Sequence, residues 1–236
     1  MTSPDPRLQN PVLGEPFTTR NDPFTKKPAP EIQVPQGWSF YFVPQGVNDP
    51  PWKHRRPEWT PYQHWAKQFV TFGTMRAGLM QRIKVNPGER FTLTVDACFT
   101  AQEAGIALRV GIDPMGGGDH QSSNVVWGEF QGETSQGVNR WTGGLANPRT
   151  LSCPTVESAG PYITVFLHSE NIYAGKDASA FWDTATLWKF EDTTPNPDTP
   201  PNGDFADLIQ AIRDQTVVLR EIRDRMPAPA PTWEQQ

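Results

Sequence analysis

A chain of 236 residues has room for one large domain and an appendage, and its 36% hydrophobic share is low because 25 prolines, gathered toward both ends, dilute an ordinary core. A formal net charge of −5 excludes a general nucleic-acid binder, which needs a basic stripe to displace counterions. No apolar run approaches the roughly 20 residues a membrane-crossing helix requires, and the opening MTSPDPRLQN carries no apolar leader core.

Residues 1–35 are rich in Pro, Thr and Asn without periodicity, which predicts an extended arm lying on a surface rather than inside a sheet. From Gly37 the texture changes, and Trp38 to Val43 is an aromatic, β-branched run of strand composition. A loop rich in Pro, Trp and His follows from Pro44 to Pro61, and its Lys53-His54-Arg55-Arg56 run reads as a solvated basic turn. Strand-length apolar segments then recur at 67–73, 78–85, 90–99, 105–112, 124–128, 161–168 and 180–190. In the third of these, Phe91, Leu93, Val95, Ala97 and Phe99 alternate with Thr92, Thr94, Asp96 and Cys98, a period of two that sends one row to a core. Ile106, Leu108, Val110 and Ile112 repeat that period, as do Ile163, Val165 and Leu167. Many short strands with no helix between them predict an all-β fold over 36–192, an antiparallel two-sheet jelly-roll sandwich. A Pro-rich linker follows at 193–203, and then residues 204–226 take a helical period, opened by Asp204 as N-cap and stopped by Pro227. A Pro-Ala tail, 227–236, closes the chain.

The stretch GIDPMGGGDHQSSNVVWGE, Gly111 to Glu129, is the most unusual. It is no phosphate loop, because its glycines lead into a strand and no helix N-terminus is at hand to hold an anion. Asp113, Asp119 and Asn124 do offer the hard oxygens that Ca²⁺ prefers, although their spacing matches no EF-hand. Two cysteines, Cys98 and Cys153, are too few for a disulfide framework and read as packed thiols, with a single bridge between them as the alternative. His54, His64, His120 and His168 are scattered, and neither an HExxH helix nor a Gly-x-Ser-x-Gly elbow occurs, so the expectation is a protein that is not an enzyme. His168, at a strand end, reads as a packed or surface histidine.

The segments AGLMQRIKVNPGERFTLTVDACF, RVGIDPMGGGDHQSSNVVW, ITVFLH and AFWDTATLWKF occur in that order. Together they resemble the galactose-binding-like, carbohydrate-binding-module superfamily of jelly rolls, in particular a bacterial group with a Gly-Ile-Asp-Pro-x-Gly-Gly turn before a Val-Val-Trp strand. LQNPVLGEPF would stand for that superfamily's opening Asn-Pro-x-Phe-Glu, so the resemblance runs from Leu8 to Glu191. It implies a structural Ca²⁺ held by an early Glu and a late Asp. Asp183 fits the late position, whereas the early position is Gly14, with Glu15 one place along, and one residue of shift turns a strand side chain to the other face. It also implies sugar binding, in which aromatic rings stack on the C–H faces of a glycan. Trp52, Trp59 and Trp127, beside loops, are open to either stacking or core packing, while Trp38, Trp182 and Trp188 read as structural. Gln81, in one row with Leu79 and Ile83, is either a buried, satisfied amide or a groove residue.

In the C-terminal segment Phe205, Leu208, Ile212, Gln215, Leu219, Ile222 and Met226 recur in steps of three and four, the seam of a coiled coil. Ile209 and Val218 widen the stripe, which suits a homotrimer; the alternative is a helix packed on its own sandwich. These features add up to a non-catalytic structural or adhesion module with a carbohydrate-binding-module-like fold. The first expectation is a virion-associated protein, a phage decoration or tail accessory assembled in the host cytoplasm beside capsid or tail neighbours. The alternative is a carbohydrate-binding module of a bacterial surface or secreted protein, extracellular and in contact with glycans.

Overall fold

Alternation of apolar and polar residues builds two facing sheets. The computed structural model describes residues 2–134, 137–138, 141 and 143–190, and every regular element among them is a strand. In chain order these are β1 (Thr2–Pro4), β2 (Phe17–Asn21), β3 (Pro28–Pro35), β4 (Ser39–Phe42), β5 (Glu58–Tyr62), β6 (Trp65–Val70), β7 (Gly73–Lys84) and β8 (Arg90–Gln102). There follow β9 (Ile106–Asp113), β10 (Val126–Trp127), β11 (Gln131–Thr134), β12 (Gly137–Val138), β13 (Arg149–Ser152), β14 (Val156–Glu157), β15 (Tyr162–Gly175) and β16 (Asp177–Phe190).

One sheet runs β13-β8-β16-β6-β5-β3-β2, with β1 added to β16 and β14 to β8. The other runs β12-β11-β9-β15-β7-β4, with β10 added to β9. From β6 to β9 the chain changes sheet at every connection, and it does so again from β15 to β16, so strands adjacent in space are distant in sequence. Pairing is antiparallel except for a single parallel bridge, Ile32 to Trp59, between β3 and β5. Between the sheets Phe91, Leu93, Val95 and Ala97 of β8 meet Ile106, Leu108, Val110 and Ile112 of β9 and Ile163, Val165 and Leu167 of β15, all of them buried. Burying each large aliphatic or aromatic side chain contributes about 1.5–3 kcal/mol. One polar contact crosses this core: Gln68 Nε2 of one sheet donates to Ser169 Oγ of the other at 2.7 Å, while Gln68 Oε1 and the indole nitrogens of Trp59 and Trp182 are buried without a partner.

The N-terminal segment differs from its expectation. Residues 1–35 supply three strands, and Leu8 and Leu13 are buried in the main core. Proline denies a strand its ladder donors, but β3 meets β5 through one bridge, so few donors are needed on that side. An ionic knot fixes the arm further: Arg7 pairs with Asp5 and, at 2.8 Å, with Glu89, which also holds Lys189 at 2.7 Å. The sandwich therefore begins with the arm instead of at residue 36. The linker 193–203, the predicted helix 204–226 with Phe205, Leu208, Ile212, Leu219 and Ile222, and the tail 227–236 lie outside the described residues.

Candidate ligand-binding site

The glycine-rich stretch turns the chain back over the outer face of the second sheet. Asp113 ends β9, and its carboxylate accepts the Met115 amide at 2.8 Å and the Gly117 amide at 3.0 Å. A Cβ on Gly117 would lie 2.6 Å from that carboxylate, so a larger residue there would push the Asp113 side chain out of its place. Asp119 accepts the Gln121 amide at 2.9 Å in the same manner. The chain then rejoins β9 as β10, antiparallel, with Trp127 opposite Gly111. The indole lies over that glycine so closely that a Cβ at 111 would come within 2.6 Å of it.

Register places the outer-face side chains in three transverse rows. The first is Arg76, Glu170 and Ala107; the second is Tyr41, Gly78, His168 and Arg109; the third is Ser39, Met80, Phe166, Gly111 and Trp127. The loop covers part of these rows. His120 stacks on Tyr41 with centroids 4.3 Å apart, and Val125 joins Tyr41 and Phe166 in a second small apolar cluster. Beside this lid remains a pocket of about 350 Å³ lined by Arg76, Arg109, His120, Gln121, Ser122, Ser123, Val125, Trp127, His168 and Glu170.

Its electrostatics follow from what each group touches. Arg76 Nε lies 3.2 Å from Glu170, which neutralises both charges. His168 is buried, with Nδ1 3.1 Å from the Tyr41 hydroxyl and Nε2 3.9 Å from Glu170. Burial pushes its pKa down, against the pull of Glu170. Burial, followed by the neighbouring His168, pushes His120 down to about 4, so both rings are neutral at pH 7. The Arg109 guanidinium lies over Trp127 at 4.2 Å and Phe130 at 4.1 Å, and its Nε is buried with no partner. The arrangement offers a partly exposed indole, one uncompensated cation and a rim of hydroxyl and amide groups.

Of the residues singled out for sugar contact, only Trp127 lines this pocket. Trp59 is 2% exposed and packs on Phe40 at 4.7 Å between the sheets, so it presents no face for stacking. Gln81 is buried in the inner row, where it accepts the Gln9 amide at 2.7 Å and donates to the Gln9 carbonyl at 2.9 Å. It is the satisfied amide that clamps the arm, not a groove residue. Trp52 is exposed on the loop between β4 and β5, where its carbonyl holds the Thr74 amide at 2.7 Å. The residues expected as calcium ligands do not fit a calcium cage, which takes six to eight oxygens. Asp113 and Asp119 are taken up by turn amides, and Glu15 is exposed ahead of Pro16. Asp183 accepts the Thr184 amide at 2.7 Å and faces His64 at 3.6 Å. Both cysteines are free and buried, and burial pushes Cys98 up to about 12.

Arg76, Arg109, His120 and Glu170 were not singled out in the sequence as site residues. A signal existed: in the alternation of 105–112 the one charge before Asp113 is Arg109, standing between Ala107 and Gly111 in the non-core row. No protein-family model and no curated protein sequence matches this chain. Among solved structures it is similar to TmCBM61 in complex with β-1,4-galactotriose, at 11% identity and TM-score 0.36 over 77% of this chain and 96% of that one. It is similar also to the CBM22-1 xylan-binding domain of Paenibacillus barcinonensis Xyn10C, at 15% identity and TM-score 0.37, over 65% and 86%. A third is tailspike protein 4 of bacteriophage CBA120, at 12% identity and TM-score 0.35 over 64% of this chain and 19% of that one.

Proposed function

We propose that this protein is a non-catalytic, saccharide-binding β-sandwich of jelly-roll type, with its site on the outer face of the sheet containing β7, β9 and β15. The observation that carries this reading is Trp127, half-buried on Gly111 and lining a pocket with two arginines, a carboxylate and the hydroxyls of Ser122 and Ser123. An indole stacks on the C–H face of a sugar ring while such polar groups address its hydroxyls. Oligosaccharides should quench or shift tryptophan fluorescence with dissociation constants on the order of micromolar to millimolar. Trp127→Ala should remove the response while the melting curve stays cooperative; a broad glycan array without a hit would overturn the reading.

A second element of the proposal is assembly. The apolar spacing of residues 204–226 supports a coil that joins three copies, and joined copies convert weak sites into useful avidity. Such a trimer suits a virion accessory or a surface adhesin, each of which meets glycans outside a cell. Light scattering should give a larger oligomer for the full chain than for one ending at Asn196, and two monomers would remove the assembly.

A further inference from the structure

We infer that the pocket takes an acidic saccharide, with the ring carboxylate seated on Arg109. This inference deepens the saccharide-binding reading and rests on it. Arg109 stands in the middle of β9, where its guanidinium carbon lies over the rings of Trp127 and Phe130 at 4.2 and 4.1 Å. A guanidinium laid over rings keeps its in-plane N–H groups free for a planar anion. Among the described residues the Arg109 side chain has neither an ion pair nor a hydrogen bond, and its Nε is buried without a partner. A half-buried charge left unpaired is costly, and a carboxylate supplied from outside would offset that cost.

The charge count points to a monoanion. Arg76 is already answered by Glu170 at 3.2 Å, and burial holds His120 and His168 neutral, so one positive charge remains. A phosphate or sulfate polymer would bring several negative charges beside Glu170 with one free cation among the described lining residues to meet them. The volume, about 350 Å³, is at the low end for ligand pockets and has room for one sugar ring and part of the next. The carboxylate of a uronic-acid ring meets these conditions.

The test is calorimetric titration of the full chain with methyl glucuronide and methyl galacturonide, each beside its neutral methyl glycoside, and with acetate alone. The acidic glycosides should bind about 10- to 100-fold tighter than the neutral ones, as charge-assisted hydrogen bonds give, and the advantage should shrink with added salt. Arg109→Gln should erase that preference, bringing acidic and neutral glycosides to one affinity, and Arg109→Lys, which keeps the charge without the fork, should retain part of it. Thermal melts of both variants check the fold. Equal affinity for acidic and neutral glycosides, with both weakened by Trp127→Ala, would overturn the acidic preference while the saccharide reading stands. Acetate binding as tightly as the glycosides would mean a bare anion site and overturn the inference. No response to any glycoside, acidic or neutral, would overturn both.

Discussion

Strand β15 presents two rows, both buried and yet unlike. Ile163, Val165 and Leu167 face the opposite sheet and pack into its apolar row. Thr164, Phe166 and His168 face the other way and are buried as well, but beneath a loop and a set of aromatic rings. A sheet closes over its partner without gaps, whereas a loop held by turn hydrogen bonds covers only part of the face. Polar groups beside the remaining opening sit in low dielectric next to accessible space, where their charges and hydrogen bonds count for more than in water. The inner row makes the fold, and the outer row is free to make a site.

That contrast can be broken from either side. The largest effect belongs to the inner row: Leu167→Ala should cost about 2–5 kcal/mol in urea unfolding, since it leaves a cavity in a two-sheet core. Asp113→Ala acts on the outer face by releasing the Met115 and Gly117 amides, and should cost about 1–2 kcal/mol. Limited proteolysis should then cut within 114–124 before the sandwich is attacked. If the sandwich and the loop are cut together, the two faces are not separable.

Acid should act on the outer row through His120. Its folded pKa, about 4, lies below the ordinary 6.5, so between these values the unfolded chain binds more protons than the folded one. Stability therefore falls as pH drops from 6.5 toward 4, by on the order of 1 kcal/mol once solvent screening of this half-exposed ring is allowed for. His120→Ala should flatten that part of the pH profile, and an unchanged slope would mean that the loss arises elsewhere. Gly111→Ala is smaller in global effect. It should displace Trp127 and abolish any saccharide-induced fluorescence change with less than about 1 kcal/mol lost from the core. The smallest effect is expected from chelation. The loop is held by amides on Asp113 and Asp119, so excess EDTA should leave the melting temperature unchanged, and a fall would restore a structural metal to Asp183.

Much of the sandwich was legible because period-two alternation is a direct record of burial on one side. β8, β9, β15 and β16 lie close to where Phe91–Phe99, Ile106–Ile112, Ile163–Leu167 and 180–190 place them. β2 and β3 were not, since prolines at 28, 30 and 35 mask a strand whose far side has almost no ladder to make. Trp59 and Trp127 looked alike in sequence, each beside a loop. The first points between the sheets, and the second rests on a glycine of the neighbouring strand.

By itself, then, the sequence determined that the described residues form an all-β sandwich, because alternation and turn residues act locally and are written in consecutive positions. It also determined that the glycines after Asp113 form a turn rather than a phosphate loop, since a strand follows them. Which residues make the pocket was decided only by the tertiary structure. Arg76, Arg109, His168 and Trp127 come from four strands, and cross-strand register, a relation between distant segments, is what sets them side by side.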